Sequence, residues 1–274
     1  MAIKGIDVSE HNGNVNYEKV KKAGVEYVII RAGYGRYKDQ KDTKFDRNYS
    51  ECKRLGIPCG VYWYSYAINE TQARQEAKTC LEVIKGKQFE YPIYFDLEEK
   101  KQFALGKNVC SSLVKAFCSE MEKAGYFAGL YCSTYWLTNY INDDVKKSYT
   151  LWVAEYDSSC HYKGAGVVDM WQKSSTYTIS GNSGKFDLDD CYRDFPTVIK
   201  KGGYNGYPKQ GVIVAGDYDG DGKVTDTDAM KALEASAGLR KPTAAETKRA
   251  DVNNDGAVTA ADAREILKKA RGSK

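Results

Sequence analysis

The stretch YPIYFDLEE, residues 91–99, begins as an apolar strand and ends on carboxylic acids. Asp96 and Glu98 stand two positions apart, so on one extended strand both side chains point to the same face. At about 3.3 Å per residue, their Cβ atoms lie about 6.6 Å apart. Carboxylates crowded together repel each other, which raises the pKa of one and leaves a protonated acid near neutral pH. The pair can therefore combine an acid with a carboxylate.

Acids and aromatic rings also stand in other apolar runs. An acid, a carboxylate and ring faces suit cleavage of a glycosidic bond, because the acid protonates the leaving oxygen, the carboxylate supports the positive sugar carbon and the rings stack on sugars. The predicted site collects Asp7, Asp96, Glu98, Tyr62, Tyr64, Trp63 and Trp171, with Glu155 as a second-tier candidate. The alternative is that the acids pair with Lys or Arg at the rim of the fold. Acids on several strands favour a site.

Seven apolar runs are the predicted strands, and amphipathic helical patterns lie between several of them. The strands cover 3–9, 26–35, 58–67, 91–98, 127–133, 150–157 and 167–173, and the helices cover 46–56, 69–86 and 108–125. This alternation predicts a parallel sheet, and about eight strands in about 200 residues favour a closed (β/α) barrel. Chemistry in such a barrel collects at the C-terminal ends of the strands. Few helical patterns follow the sixth run, so we expect an irregular barrel there.

A different acidic pattern occurs twice near the C-terminus, as DYDGDGKVTDTD at 217–228 and DVNNDGAVTAAD at 251–262. Each copy has oxygen side chains at positions 1, 3 and 5, Gly at 6 and Asp at 12, and a helical pattern follows. Ca²⁺ takes six to eight oxygen ligands, which this spacing supplies. One copy alone could be a solvated turn, but two copies in phase predict two calcium ions. The predicted ligands are Asp217, Asp219, Asp221, the carbonyl of Lys223, Thr225 and Asp228, then Asp251, Asn253, Asp255, the carbonyl of Ala257, Thr259 and Asp262.

The composition changes near residue 200. Residues 200–211, KKGGYNGYPKQG, are rich in Gly, Lys and Tyr and show no hydrophobic period, so they indicate a linker. Residues 212–274 contain no Cys, Trp or Phe. We therefore predict a first domain over 1–199, a linker over 200–211 and a second domain over 212–274.

Charge and cysteine content exclude several classes of protein. The net charge is only +4, from 41 Lys and Arg against 37 Asp and Glu, and no basic stripe suggests nucleic acid. No run reaches the ~20 apolar residues of a membrane span. The 8 Cys form no CxxC pair, so we expect no zinc site and mostly free, buried thiols, with Cys52 and Cys59 the most plausible disulfide. The N-terminus lacks a signal-peptide core, so we expect a cytoplasmic protein or one whose leader is absent from this sequence.

Seven motifs occur in an order that resembles glycoside hydrolase family 25, the Chalaropsis-type lysozymes. They are GIDVSEHNG (5–13), VIIRAGYG (28–35), GIPCGVYWYSYA (56–67), YPIYFDLE (91–98), LWVAEYD (151–157), MWQ (170–172) and FDLDD (186–190). The resemblance covers about residues 3–196. It implies an irregular β/α barrel that hydrolyses the β-1,4 bond from N-acetylmuramic acid to N-acetylglucosamine in peptidoglycan. Tyr62 and Trp171 match aromatic positions that hold sugar in the family.

The same resemblance implies roles for the acids. Glu98 is expected to be the general acid and Asp96 to stabilise the reacting centre. Asp7 and Asp187 are expected to line the site, with Asp189 a lower-ranked match to the position of Asp187. Attack by Asp96 itself and attack by the 2-acetamido group of the substrate both stay open.

Residues 212–272 resemble a dockerin, which has two loop–helix repeats, Asp at position 12 and no entering helix before the first loop. Dockerins bind cohesin modules on scaffolding proteins, so the resemblance implies a secreted enzyme in an extracellular, cell-surface complex of the cellulosome type. Loop positions 10 and 11 are 226–227 and 260–261, and they differ between the repeats, which argues against two symmetric docking orientations. Leu233 aligns with Leu267, and we expect this pair to pack the two helices together.

Together these patterns predict an α/β protein: an irregular (β/α) TIM-like barrel with a small all-α, calcium-binding C-terminal domain of two loop–helix repeats. The predicted function is that of a secreted muramidase that acts on bacterial peptidoglycan and docks to a cohesin. No cofactor is expected for catalysis. Two alternatives stay open: a non-catalytic wall-binding barrel anchored by a dockerin, and a glycosidase for another N-acetylated glycan.

Overall fold

The structure is a computed structural model that describes residues 2–209 and 213–272. The chain divides into two compact units, Met1–Ile199 and Lys200–Lys274. Of the predicted linker, residues 200–202 belong to the end of a helix, and residues 210 and 211 lie outside the described residues. Residue 212, where the second domain is predicted to begin, also lies outside them.

The first unit contains eight strands. They are β1 (Ile3–Val8), β2 (Tyr27–Tyr34), β3 (Cys59–Tyr64), β4 (Ile93–Asp96), β5 (Ala128–Ser133), β6 (Thr150–Ala154), β7 (Val168–Tyr177) and β8 (Phe186–Cys191). The seven predicted strands all occur, with ends shifted by a few residues. The additional strand, β8, carries the FDLDD motif, whose alternating acids interrupt any apolar run.

The eight strands close into a barrel in chain order, which confirms the predicted fold class. Neighbouring strands are parallel from β1 to β7, but β8 runs antiparallel to both β7 and β1. The expectation of a parallel sheet therefore fails at β8. The reason is the short connection over residues 178–185, since a parallel pair needs a crossover of a dozen or more residues.

Helices cover the outside of the barrel. They are α1 (Tyr17–Lys22), α2 (Phe45–Leu55), α3 (Glu70–Ile84), α4 (Lys100–Phe103), α5 (Lys107–Lys123), α6 (Thr134–Tyr140), α7 (Asp143–Ser148) and α8 (Phe195–Gly202). The three predicted helices correspond to α2, α3 and α5. Residues 155–167 and 178–185, all of them described, contain no helix, which confirms the irregular last third. No helix among the described residues is long and apolar enough to cross a membrane.

Strand β4 shows how the barrel positions its acids. All four of its residues are buried, and its side chains alternate between two environments. Phe95 faces outward and packs on Phe117 of α5, with ring centroids 4.7 Å apart. Tyr94 faces inward and meets Trp152 of β6 at 5.2 Å. Asp96, two residues beyond Tyr94, therefore also faces the barrel interior.

The cysteines are free thiols, and all except the partly exposed Cys160 are buried. The expectation of free, buried thiols is therefore confirmed. Cys52 and Cys59 are both buried free thiols and are not joined as a disulfide.

The second unit contains α9 (Asp226–Ser236), α10 (Ala244–Ala250) and α11 (Ala260–Ala270). Helices α9 and α11 are the predicted helices after each loop, and α10 is an additional short helix before the second loop. The core consists of Tyr218, Ala229, Ala232, Ala250, Ala263 and Ile266. Leu233 is 52% exposed and lies outside this core. The expectation that the Leu233–Leu267 pair packs the helices together is therefore wrong for Leu233, whereas Leu267 does pack against this core.

Candidate active site

A cavity of about 500 Å³ opens at the C-terminal ends of the parallel strands, and we call it the main cavity. Each of the eight strands contributes at least one side chain to it. Its lining residues are Asp7, Ser9, His11, Asn12, Arg31, Tyr62, Tyr64, Asp96, Glu98, Tyr131, Trp152, Tyr156, Gln172, Lys185 and Asp187. This is the end of the barrel at which chemistry was expected.

The structure brings the four acids predicted as catalytic into the main cavity. Asp7 of β1 is paired in register with Asp187 of β8. Asp96 is the last residue of β4, so Glu98 lies in the following loop rather than on the strand as predicted. The loop nevertheless returns Glu98 to the same cavity.

Burial raises the pKa of the two deepest of these acids. For Asp7 the largest cause is desolvation, followed by the charges of Asp189 and Asp187, while a hydrogen bond from Gln172 opposes the shift. For Asp96 desolvation is again the largest cause, followed by the charge of Glu98. The Oδ1 atom of Asp96 is buried and has no hydrogen-bond partner among the described residues. The protonated form of both acids is therefore favoured.

Glu98 and Asp187 lie nearer to solvent, Glu98 being exposed and Asp187 partly exposed. The pKa of Glu98 is raised by desolvation first and then by the charges of Glu99 and Asp187. Desolvation also raises the pKa of Asp187. The four acids interact closely, so they titrate as a group that retains protons to higher pH than isolated carboxyl groups. A solvent-facing acid with a raised pKa suits proton transfer to a substrate.

Of the predicted aromatic residues, Tyr62 and Tyr64 line the main cavity. Trp63 lies between them on β3 and points to the opposite face, because side chains alternate along a strand. It is fully buried in the core, and its Nε1 donates to the carbonyl oxygen of Gly35 at 2.8 Å. Trp63 therefore does not reach the main cavity.

Trp171 and Glu155 also lie outside the lining of the main cavity. Trp171 is buried, and its Nε1 donates to the carbonyl oxygen of Glu155 at 2.7 Å. The carboxylate of Glu155 accepts hydrogen bonds from the Thr134 hydroxyl at 2.8 Å and from the amide of His161 at 2.9 Å. The structure thus gives Glu155 loop-stabilising contacts.

Asp189 lies deeper than Asp187 on the same strand. It is fully buried, and one of its oxygens accepts a hydrogen bond from Trp152 Nε1 at 2.8 Å. Asp187 lines the main cavity and Asp189 does not. The geometry therefore places the first acid of the FDLDD motif, rather than the second, where it can contact a substrate.

In the first loop of the second unit, carboxylate oxygens of Asp217, Asp219 and Asp221 lie within 4.8 Å of one another. Gly222 takes a left-handed φ of 88°, a conformation that side chains other than glycine rarely adopt. Its amide donates to Asp217 at 2.8 Å. Desolvation raises the pKa of Asp217, and the charges of Asp221 and Asp228 raise it further. The loop therefore concentrates oxygen donors around one point.

The second loop repeats this arrangement. Carboxylate oxygens of Asp251, Asp255 and Asp262 lie within 4.8 Å of one another. Gly256 has a φ of 91°, and its amide donates to Asp251 at 2.8 Å. Asn253 stands between them in the chain, with its side-chain amide donating to Asp255 at 2.8 Å.

The other predicted ligands hold the ends of the loops. The hydroxyl groups of Thr225 and Thr259 donate to Asp228 and Asp262, each at 2.8 Å, where these loops enter α9 and α11. Backbone amides also donate to the acid at loop position 5. The Lys223 amide donates to Asp221 at 2.8 Å, and the Ala257 amide donates to Asp255 at 3.0 Å. All twelve predicted ligands therefore belong to two similarly wound loops.

Comparison with known proteins identifies both units. Residues 6–182 match the sequence profile of glycosyl hydrolases family 25. The chain belongs to this family. Residues 215–270 match the dockerin type I domain. Both resemblances predicted from the sequence motifs are therefore confirmed.

The relatives are named for wall-lytic activity. The autolytic lysozyme of Clostridium acetobutylicum is 31% identical over 190 residues, which cover 69% of this chain and 55% of the relative. A solved structure of the CTP1L endolysin is 26% identical, with a TM-score of 0.65 and coverage of 72% and 69% of the two chains. The modular autolysin LytC of Streptococcus pneumoniae, solved with a synthetic peptidoglycan ligand, is 31% identical, with a TM-score of 0.63 and coverage of 70% and 47%. The chain thus spans about half the length of the first and third of these proteins.

Several polar residues of the main cavity, Gln172 among them, were not predicted as site residues from the sequence. Gln172 of β7 donates to Asp7 at 2.8 Å and accepts from the hydroxyl groups of Tyr131 at 2.9 Å and Tyr156 at 3.1 Å. The alternation of side chains along β7 could have identified Gln172, because Trp171 and Gln172 must face opposite sides of the strand. Met170 and Gln172 of the MWQ motif therefore face inward, and Gln172 is the one that lines the main cavity.

The dockerin domain presents an apolar groove of about 380 Å³ between α9 and α11. Met230 and Leu233 lie along it and are 54% and 52% exposed. At one end Arg271 forms an ion pair with Asp226 at 3.2 Å. The groove is lined by Asp226, Ala229, Met230, Leu233, Ala260, Ala263, Arg264, Leu267 and Arg271. Exposed apolar surface of this kind is typical of protein–protein contact sites.

Proposed function

We propose that the barrel is an N-acetylmuramidase that hydrolyses the β-1,4 bond between N-acetylmuramic acid and N-acetylglucosamine in peptidoglycan. The observation that carries this proposal is the convergence of four acids with raised pKa in one cavity of a family 25 barrel. A protonated acid beside a second carboxyl group is the arrangement that glycosidic cleavage requires. The lysozyme and autolysin names of the relatives support the choice of polymer.

In this proposal Glu98 is the general acid. It is an exposed residue that lines the main cavity, and desolvation of its carboxyl group raises its pKa, so it stays protonated to higher pH than an ordinary glutamate. It gives its proton to the glycosidic oxygen as the bond breaks. Water then completes hydrolysis at the sugar carbon, and Glu98 recovers the proton.

Asp96 stabilises the positive charge that develops at the sugar carbon. It lies deeper than Glu98, and its unpartnered Oδ1 can accept a hydrogen bond from a substrate group without breaking an existing contact. Asp7 is held by Gln172 at 2.8 Å on the other side of the cavity. A mass increase on a peptide containing Asp96, trapped with a fluorinated substrate, would indicate direct attack. Inhibition by a thiazoline sugar would indicate participation of the acetamido group.

The decisive experiment compares wild type with Glu98→Gln on purified peptidoglycan. Loss of the acid is expected to lower kcat by about 10²- to 10⁴-fold. The products are analysed by mass spectrometry for reducing N-acetylmuramic acid ends. Glu155→Gln is the matched control, because Glu155 lies outside the main cavity, and we expect it to retain activity. If wild type releases no fragments, the muramidase proposal fails, and defined chitin and other N-acetylated glycans then test the alternative substrates.

We propose further that each dockerin loop binds one Ca²⁺ and that the groove between α9 and α11 binds a cohesin module. Crowded carboxylate oxygens fit a hard divalent cation, and the exposed Met230 and Leu233 fit an apolar partner surface. The enzyme then acts outside the cell, attached to a scaffold. Binding to a panel of cohesins, measured by calorimetry with Leu233→Asp beside Leu105→Asp of the barrel as the control, tests the groove. Equal affinity of both variants for the cohesin that binds wild type would contradict it.

A further inference from the structure

A second cavity of about 360 Å³ opens beside the main cavity, and we call it the side cavity. The segments that line it follow β2, β3 and β4, so it opens at the same end of the barrel as the main cavity. Its lining includes Arg36 and Tyr37 after β2, Tyr66 and Ile68 after β3, and Glu99 and Lys101 after β4.

The wall between the two cavities is thin. Tyr64 lines the main cavity, and its hydroxyl group donates to Glu99, which lines the side cavity, at 2.8 Å. The ring of Tyr64 also packs on Tyr66, with centroids 5.1 Å apart. A branched substrate bound in the main cavity therefore has the side cavity within reach of a branch.

The side cavity has two cationic groups without ion-pair partners. Neither Arg36 nor Lys101 has a carboxylate within 4.0 Å among the described residues. Arg36 stacks over the ring of Tyr37, 5.4 Å from its centroid, and its Nε donates to the Tyr37 hydroxyl at 3.3 Å. A guanidinium held by a ring in this way retains donors for a carboxylate.

Two acids, Glu76 and Glu99, line the side cavity, and neither forms an ion pair with these cations; Glu99 accepts the hydrogen bond from Tyr64. Glu76 is 1% exposed, and its carboxyl group accepts hydrogen bonds from the Ser65 hydroxyl at 2.7 Å and the Tyr66 amide at 2.9 Å. Desolvation outweighs these bonds and raises the pKa of Glu76 to about 7. The exposed Tyr37, Tyr66 and Ile68 add apolar surface. Apolar walls with two available cations suit a short peptide that carries a carboxylate.

The main cavity is more acidic, because four carboxyl groups line it and its Arg31 already pairs with Glu10 and Asp42. The proposed substrate has one part suited to each cavity. Its sugar chain is uncharged at the bond to be cleaved, while each muramic acid carries a short peptide with carboxylates.

We propose that the side cavity binds the carboxylate-bearing peptide of the glycan substrate, with Arg36 and Lys101 holding the carboxylate and Tyr37 and Tyr66 contacting the peptide. The inference rests on the proposed muramidase function and specifies the preferred substrate as peptide-bearing glycan. Because a charge-assisted hydrogen bond contributes about 1.5–3 kcal/mol, the preference over bare glycan is expected to be roughly 10- to 100-fold in kcat/KM.

The test uses the full chain and two soluble substrates, glycan strands with intact peptides and the same strands stripped of peptides by an amidase. The readout is the ratio of kcat/KM for the two. We expect a ratio well above one for wild type, carried mainly by KM, and a ratio near one for the double variant Arg36→Gln, Lys101→Gln. Lys38→Gln is the matched control, because Lys38 pairs with Glu82 at 2.8 Å outside the side cavity, and we expect it to keep the wild-type ratio.

A wild-type ratio near one, or an unchanged ratio in the double variant, would overturn the inference. Calorimetry with the free tetrapeptide measures peptide binding independently of catalysis. If wild type cleaves neither substrate, the muramidase proposal fails, and peptide binding that the double variant loses still supports the side cavity. Absence of peptide binding to wild type in that case overturns both.

Discussion

The barrel and the dockerin domain both bury aspartates, but they hold them in different ways. Asp96 in the barrel and Asp262 in the second loop are 3% and 0% exposed, but Asp96 lies deep in the barrel interior whereas Asp262 lies in a small loop that encloses it with far fewer atoms. Burial raises the pKa of Asp96, and its Oδ1 has no partner to offset this. Burial acts in the same direction on Asp262, but hydrogen bonds from Thr259, Asn253 and Val252 outweigh it and lower the pKa.

The difference shows that hydrogen-bond donors, together with the depth of the site, decide the charge of a buried acid. An acid deep in the barrel without donors retains its proton to higher pH than an ordinary aspartate. An acid surrounded by backbone amides stays ionised, which suits it to a cation. The following predictions test this distinction.

Removal of calcium is expected to have the largest effect. The two proposed calcium sites, each at free calcium 100-fold above its Kd, should stabilise the dockerin domain by roughly 5 kcal/mol together. Scanning calorimetry of the full chain with and without EDTA should show one transition shifted sharply and the barrel transition unchanged. A barrel transition that shifts by the same amount would contradict the separation of the two acidic clusters.

Asp96→Asn is expected to separate activity from stability. Loss of the charge that stabilises the reacting centre should lower kcat by about 10²- to 10³-fold. The raised pKa means that Asp96 favours folding below its unfolded pKa and that this contribution is lost as pH rises through the folded pKa. Asparagine does not ionise, so the variant should melt at a higher temperature than wild type at pH 8, with little difference at pH 4. A variant less stable than wild type at pH 8 would contradict this account.

Glu76→Gln is expected to change the pH dependence of stability. The pKa of Glu76 is raised from an ordinary value of 4.5 to about 7, so its contribution to folding is fully present below pH 4.5 and lost by about pH 7. The shift corresponds to about 3 kcal/mol. Chemical unfolding between pH 4 and 8 should therefore show a smaller decline for the variant. Glu82→Gln, on the exposed side of the same helix, should retain the wild-type decline.

Lys231→Met is expected to have the smallest effect. Lys231 pairs with Asp219 of the first loop at 2.6 Å, whereas Glu265 occupies the equivalent position after the second loop. A partly exposed pair of this kind contributes about 0.5 kcal/mol, so its loss should tighten calcium binding at the first loop by a few fold. Calcium titration of Lys268→Met, which removes a cation that pairs with Glu265, provides the control.

Much of this architecture follows from sequence periodicity. Apolar runs predicted the seven parallel strands, and the spacing of oxygen side chains predicted both loops. These signals are local, since each depends on residues within one turn or one strand. The same locality explains the misses. Strand β8 closes the barrel but contains no apolar run, because acids such as Asp187 stand between apolar residues such as Leu188.

The site was predicted by residue type better than by orientation. Tyr62 and Tyr64 share a strand with Trp63, and only knowledge of which face is inward separates them. The same applies to Trp171 and Gln172. Leu233 lies outside the core between the dockerin helices, which contains alanines whose small side chains allow close approach. In a sequence, an apolar residue that faces a partner cannot be distinguished from one that packs in the core.

The reversed direction of β8 determines where the barrel can be extended. Ile3, at the start of β1, is paired with Cys191, at the end of β8. The polypeptide therefore leaves the barrel at the pole opposite to the mouth of the main cavity. A segment joined at that pole lengthens the chain without altering the strand ends that line the main cavity. The barrel is thus suited to be one domain of proteins that differ in length.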